Sequence, residues 1–147
     1  MIQRKQTLFL LGVVIISILM FFTPFMIMAI DTHNEPLNLS YAFKKGYENT
    51  NIYYPLILNF LLLFLSITVI FLFKNRVLQF KLANLAALLS VFVTGLFFIL
   101  SYDVAFGTFK SYSFGAFLPI IGAVLAYLGA HFIKKDEQMV RNADRIR

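Results

Sequence analysis

The sequence predicts an all-α membrane protein, with four transmembrane helices in an antiparallel bundle and both termini in the cytoplasm. Three observations predict it. Four long apolar runs, at about 7–30, 52–73, 82–101 and 114–133, contain no Asp, Glu, Lys or Arg. The chain is 60% hydrophobic and only 14% charged, against roughly 25% charged in soluble domains. The basic residues gather in the segments between and beyond alternate runs. At 147 residues the natural count is one domain, 1–147, ending in a cytoplasmic tail, 134–147.

The first run, Thr7 to Ile30, follows a short basic start holding Arg4 and Lys5. Its roughly 24 residues suffice to cross a hydrocarbon core of about 30 Å at about 1.5 Å per residue. Pro24, in the outer third, is expected to kink or end the helix. The run is too long for the apolar core of a cleaved signal peptide, about 7–15 residues, so it reads as a retained span. Asp31 to Asn51 is the largest loop. Leu37, Leu39, Tyr41 and Phe43 alternate there with less apolar residues, a strand-like pattern compatible with a short hairpin or with an irregular loop. Tyr47, Tyr53 and Tyr54 read as interfacial aromatics.

The second run, Ile52 to Phe73, includes Asn59 and Ser66, seven residues apart and so on one helix face. Lys74 to Lys81 reads as a short basic connection between antiparallel helices. In the third run, Leu82 to Ser101, the candidate packing residues Ala83, Ala87, Ser90 and Thr94 share one face. Small and hydroxyl residues at this spacing let helices approach closely in lipid. Tyr102 to Ser113 reads as an aromatic loop.

The fourth run, Phe114 to Ile133, has Gly115, Gly122 and Gly129 at intervals of seven, with Ala126 on the same line. Their expected partner is the Ala83–Thr94 face. A groove for a lipid tail or a partner's helix is the functional alternative. The tail continues the helix: Val140, Ala143 and Ile146, with Phe132 and Met139 nearby, approximate a stripe, and Glu137 and Arg141 stand at i, i+4.

Orientation follows from charge. Arg4, Lys5, Lys74, Arg76, Lys81, Lys134, Lys135, Arg141, Arg145 and Arg147 lie on one side of this topology, and only Lys44, Lys45 and Lys110 on the other. The positive-inside rule places the larger group in the cytoplasm. Those ten residues are the candidates for binding a partner or lipid headgroups.

Catalytic and metal chemistry find little footing. Without cysteine there is no thiolate nucleophile and no zinc–thiolate site. The four uncharged runs argue against a proton-coupled path. His33 and His131 fall on opposite sides, so they cannot share a metal or haem. Ser17, Ser66 and Ser90 have no base within a span and read as packing hydroxyls. No phosphate-binding glycine loop is present. No cofactor is expected, and the chain reads as a non-enzyme. A membrane enzyme would need Asp31, Asp103, Glu35 or His33 to converge outside.

Three stretches carry a resemblance: MIQRKQTLFLL, FLFKNRVLQFKLANL and FLPIIGAVLAYLGAHFIKKDEQMVRNADRIR. Together they resemble an uncharacterised family of small four-helix inner-membrane proteins of Bacteroidota, over essentially the whole chain. The resemblance implies a bacterial inner-membrane location and transfers no activity. The expected role is an accessory subunit of a larger membrane assembly, docking through the basic cytoplasmic face on membrane or cytoplasmic proteins. The tail's charge alone also suits anionic headgroups, or an acidic or RNA-containing partner. The alternative is a small carrier or channel for an apolar or neutral substrate.

Overall fold

The structure is a computed structural model that describes residues 5–30, 33–40, 53–102 and 108–145. Its helices are α1 (Lys5–Phe22), α2 (Tyr53–Phe71), α3 (Arg76–Leu100) and α4 (Leu118–Arg145), the last entered through a 3₁₀ turn at Phe114–Phe117. Each helix packs on the next, and α4 closes back on α1. By length and composition three are apolar enough to cross a membrane: Tyr53–Phe71, Arg76–Leu100 and Phe114–Asn142. Gln6–Phe22 is a shorter apolar helix.

The all-α expectation is corrected by a three-stranded sheet. Strands β1 (Met26–Ile30), β2 (His33–Leu37) and β3 (Thr108–Tyr112) are ordered β2-β1-β3, antiparallel throughout. The first expected span, 7–30, is therefore divided. The last helical bond of α1 runs from Thr23 N–H to Leu19 O at 2.9 Å. Pro24 then supplies no N–H and biases Thr23 away from helix. The chain turns, and MIMAI becomes the central strand. A strand paired on both edges reads as a continuous apolar run, which is why it looked like helix.

Strand β2 is also not where the alternation put it. Leu37 ends it, and Leu39 lies in the 3₁₀ turn that follows; Tyr41, Phe43 and Tyr47 are outside the described residues. Pro36 sits in β2 opposite Ile27, acceptable because β2 is an edge strand. The aromatic loop Tyr102–Ser113 contains β3. Its register slips between Ile27, opposite Ser111, and Met28, opposite Phe109, leaving Lys110 as a bulge.

One helix start also moves, and one helix runs on past its span. α3 begins at Arg76 rather than 82, because the Asn75 side chain accepts the Leu78 N–H at 3.3 Å as an N-cap. Most of the presumed connection Lys74–Lys81 is thus helix. α4 runs without a break from Leu118 to Arg145, through the expected boundary at 133, so the tail is helical as far as it is described. α2 differs from 52–73 by only a residue or two at each end.

The core forms three layers. At the sheet end, Met20, Phe25, Met26, Leu37, Leu56, Val93, Phe97 and Leu100 pack together. Phe25 and Phe97 stack there at 4.3 Å. Val13, Leu62, Ala86 and Ala126 fill the middle. Leu10, Val69, Ala83, Ala130 and Ile133 close the other end. The sheet is fastened to the bundle by backbone bonds: Phe25 N–H to Leu37 O (2.9 Å), Ser113 N–H to Phe25 O (3.0 Å) and Gly115 N–H to Pro24 O (3.0 Å). The Ser101 and Tyr112 hydroxyls, 2.9 Å apart, join β3 to the end of α3.

Candidate functional site: the basic end of the bundle

Opposite the sheet, the start of α3 and the far half of α4 bring cations together. Arg76 is half-buried, and its Nη1 donates to the Asp136 carbonyl at 3.0 Å. The Lys134 ammonium lies 5.9 Å from the centre of the Phe80 ring, within cation–π range. Both contacts hold α4 against α3 where α4 passes beyond the Ile133 layer. Lys74, Lys81, Lys135 and Arg141 are exposed. The side chains of Lys5 and Arg145, and residues Arg4 and Arg147, lie outside the described parts. So do Ile146 and the Ala143 side chain of the expected stripe; of its described members, Met139 and Val140 are exposed and Phe132 is half-buried, stacked on Phe9.

Just inside this end sit two amides that sequence reading passed over. Gln6 and Gln79 are buried, at 3% and 2% exposure. Gln79 Nε2 donates to Val69 O at 3.0 Å. Val69 lies in the last turn of α2, where a carbonyl has no helical partner; the glutamine fills that need. In the sequence Gln79 is masked by its basic neighbours, which make 74–81 read as a connection. At mid-depth, buried Asn59 donates to Ser17 O at 3.0 Å, linking α2 to α1. The amide oxygens of Gln6, Asn59 and Gln79 accept no hydrogen bond from the described residues.

The expected packing residues divide into two groups. Ala83, Ser90 and Thr94 of α3 are buried, and Ala87 is half-buried. Ser90 and Thr94 bond within their own helix, to Ala86 O and Ser90 O. Gly115, Gly122, Ala126 and Gly129 are all buried, but the glycines do not share one partner. A Cβ on Gly122 would meet Ile16 at 3.5 Å and Ser90 Oγ at 3.6 Å, and one on Gly129 would meet Leu10 at 3.4 Å. A Cβ on Gly115 would clash with the Pro24 carbonyl oxygen. The three glycines thus approach α1 and the turn after it, Gly122 also approaches Ser90 of α3, and Ala126 on the same line packs with Ala86 of α3.

On the outer surface, an apolar groove of about 550 Å³ lies between α3 and α4, lined by Ala87, Leu88, Ala123, Val124, Tyr127 and Leu128 among others. A second, polar hollow of about 400 Å³ is lined by His131, Lys134, Lys135 and Gln138. His131 itself is exposed, with its ring edge-on to Phe132 at 6.0 Å. Among the described residues, no three His, Asp or Glu side chains are grouped so as to hold a metal. Asp31 and Asp103, and the side chains of His33 and Glu35, lie outside the described parts.

No curated protein and no solved structure matches the chain. A family model described as a domain of unknown function, DUF4293, matches residues 2–146. That range takes in the apolar helices, the sheet and nearly all of the charged continuation of α4. The chain belongs to the DUF4293 family of proteins of unknown function.

Proposed function

We propose that this protein is a non-enzymatic accessory subunit of a larger assembly in the bacterial inner membrane, as the resemblance to Bacteroidota proteins implies. It is held by its four helices, with both termini in the cytoplasm, and docks through its basic end. One observation carries the reading: α4 continues as a helix past the point where Arg76 clasps Asp136. The nine residues from there to Arg145 extend about 14 Å at 1.5 Å per residue. This projection carries exposed Met139 and Val140 beside exposed Arg141. A regular helix with uncovered apolar residues and a basic charge suits the surface of another subunit better than open water. Lys74, Lys81 and Lys135 widen the basic field around its base.

Supporting this over a carrier, each of the three core layers contains side chains with no solvent exposure. A path for an apolar or neutral substrate would have to interrupt them. The test is purification of the full chain from its native membrane in mild detergent, with mass spectrometry of what accompanies it. A near-stoichiometric partner is expected, and Met139→Asp/Val140→Asp should release it. A protein recovered alone after cross-linking in the membrane would overturn the proposal.

A further inference from the structure

The apolar groove and the polar hollow lie on one face of α4. Val124, Leu128, His131, Lys135 and Gln138 follow at steps of four and three residues, the spacing of neighbours on a helix surface. The groove occupies the first part of that face and the hollow the second. Lys134, set over Phe80 of α3, stands at the junction. From Val124 to Lys135 is about 16 Å at 1.5 Å per residue, close to half of a hydrocarbon core of about 30 Å.

We infer that this face binds one anionic phospholipid: an acyl chain in the α3–α4 groove, and its phosphate at Lys134, Lys135 and His131. Charge complementarity selects the occupant. A partner's helix would suit the groove, but it would need an acidic group of its own placed over the two lysines at the groove's mouth. A phospholipid brings the apolar chain and the anion in one molecule, at the separation the face provides. The hollow is wide enough for a headgroup, and Gln138 adds an amide for its polar atoms. Leu88, Val91 and Val124 are more than half exposed, so the chain enters sideways from the bilayer. The inference requires the helices to lie in a membrane; it does not require a protein partner.

The test is native mass spectrometry of the full chain from detergent micelles, with phosphatidylglycerol or phosphatidylcholine added. The wild type should retain one phosphatidylglycerol in preference to phosphatidylcholine. K134Q/K135Q should weaken that retention about thirty-fold, at about fivefold per lysine near an anionic surface. K74Q/R141Q removes the same charge elsewhere and should change it little. Ala123→Phe, which fills the groove, should reduce retention of both lipids. Should it disturb folding by circular dichroism, Leu88→Gln at the exposed wall gives the same reading. Equal losses in both charge variants, equal retention of the two lipids, or retention unaffected by a filled or polar groove would overturn the inference. So would a protein displacing lipid from this face.

Discussion

Adding one methyl group at Gly115, in the 3₁₀ turn that enters α4, should disturb this fold more than the same change at Gly122 or Gly95. Its Cβ would clash with the Pro24 carbonyl oxygen, with the Pro24 carbonyl carbon at 2.8 Å and Thr23 O at 3.0 Å. All three atoms are backbone, so no rotamer change relieves the clash; the turn must move away from α4. Overpacking of this kind costs about 1–3 kcal/mol. Movement also breaks or lengthens the Gly115 N–H bond to Pro24 O, about 0.5–1.5 kcal/mol more. Gly115→Ala should therefore destabilise by about 2–4 kcal/mol. Gly122→Ala meets its neighbours at 3.5–3.6 Å, ordinary contact, and should lie within about 1 kcal/mol of the wild type, helped by the better helix propensity of alanine. Gly95→Ala, with nothing within 4 Å, should be neutral or stabilising. The assay is thermal unfolding of the three variants in one mild detergent, followed by circular dichroism at 222 nm. Equal midpoints, or Gly122→Ala falling furthest, would refute the placement of Gly115 against the turn.

Three further outcomes follow from the packing. Phe97→Ala removes the partner of Phe25 in the sheet-end layer and should cost about 3–5 kcal/mol, seen as a lowered midpoint in the same assay. Gln79→Ala leaves the Val69 carbonyl buried without its donor and should cost about 1–3 kcal/mol, whereas the exposed Gln138→Ala should not move the midpoint. Arg76→Ala frees the Asp136 carbonyl. Hydrogen exchange in 134–145 should then rise severalfold while 118–130 stays protected; unchanged exchange would mean the clasp does not hold α4.

Much of the helical plan was legible because its cause is local. Long uncharged runs set α2 and most of α3 and α4 within a few residues, and the charged tail kept helical spacing. The errors sit where tertiary pairing decides. MIMAI is as apolar as the helix before it, and only pairing with β2 and β3 makes it a strand. Pro24 marked the break but not what followed. β3 lies about 80 residues from its partner and includes Lys110 and Ser111, so no short-range pattern announced it. At the site, the i+7 spacing of Gly115, Gly122 and Gly129 suggests one line on a continuous helix, but Gly115 lies in the 3₁₀ turn before α4, and spacing cannot name a partner. The neighbours nearest the glycines come from α1 and its turn, with Ser90 of α3 beside Gly122. Gln79 was obscured by its basic neighbours, and the meeting of groove and hollow depends on how α3 lies beside α4.

In the proposed orientation the two ends of the bundle face different compartments, the sheet outward and the basic end inward. The absence of cysteine makes this directly measurable. Tyr102→Cys places a thiol at the sheet end, at a residue 84% exposed, and Gln138→Cys places one at the exposed basic end. Intact cells, with the outer membrane permeabilised, are treated with a membrane-impermeant maleimide. Tyr102→Cys should be labelled in intact cells, and Gln138→Cys only after the inner membrane is lysed. Labelling of both without lysis, or of neither, would contradict it.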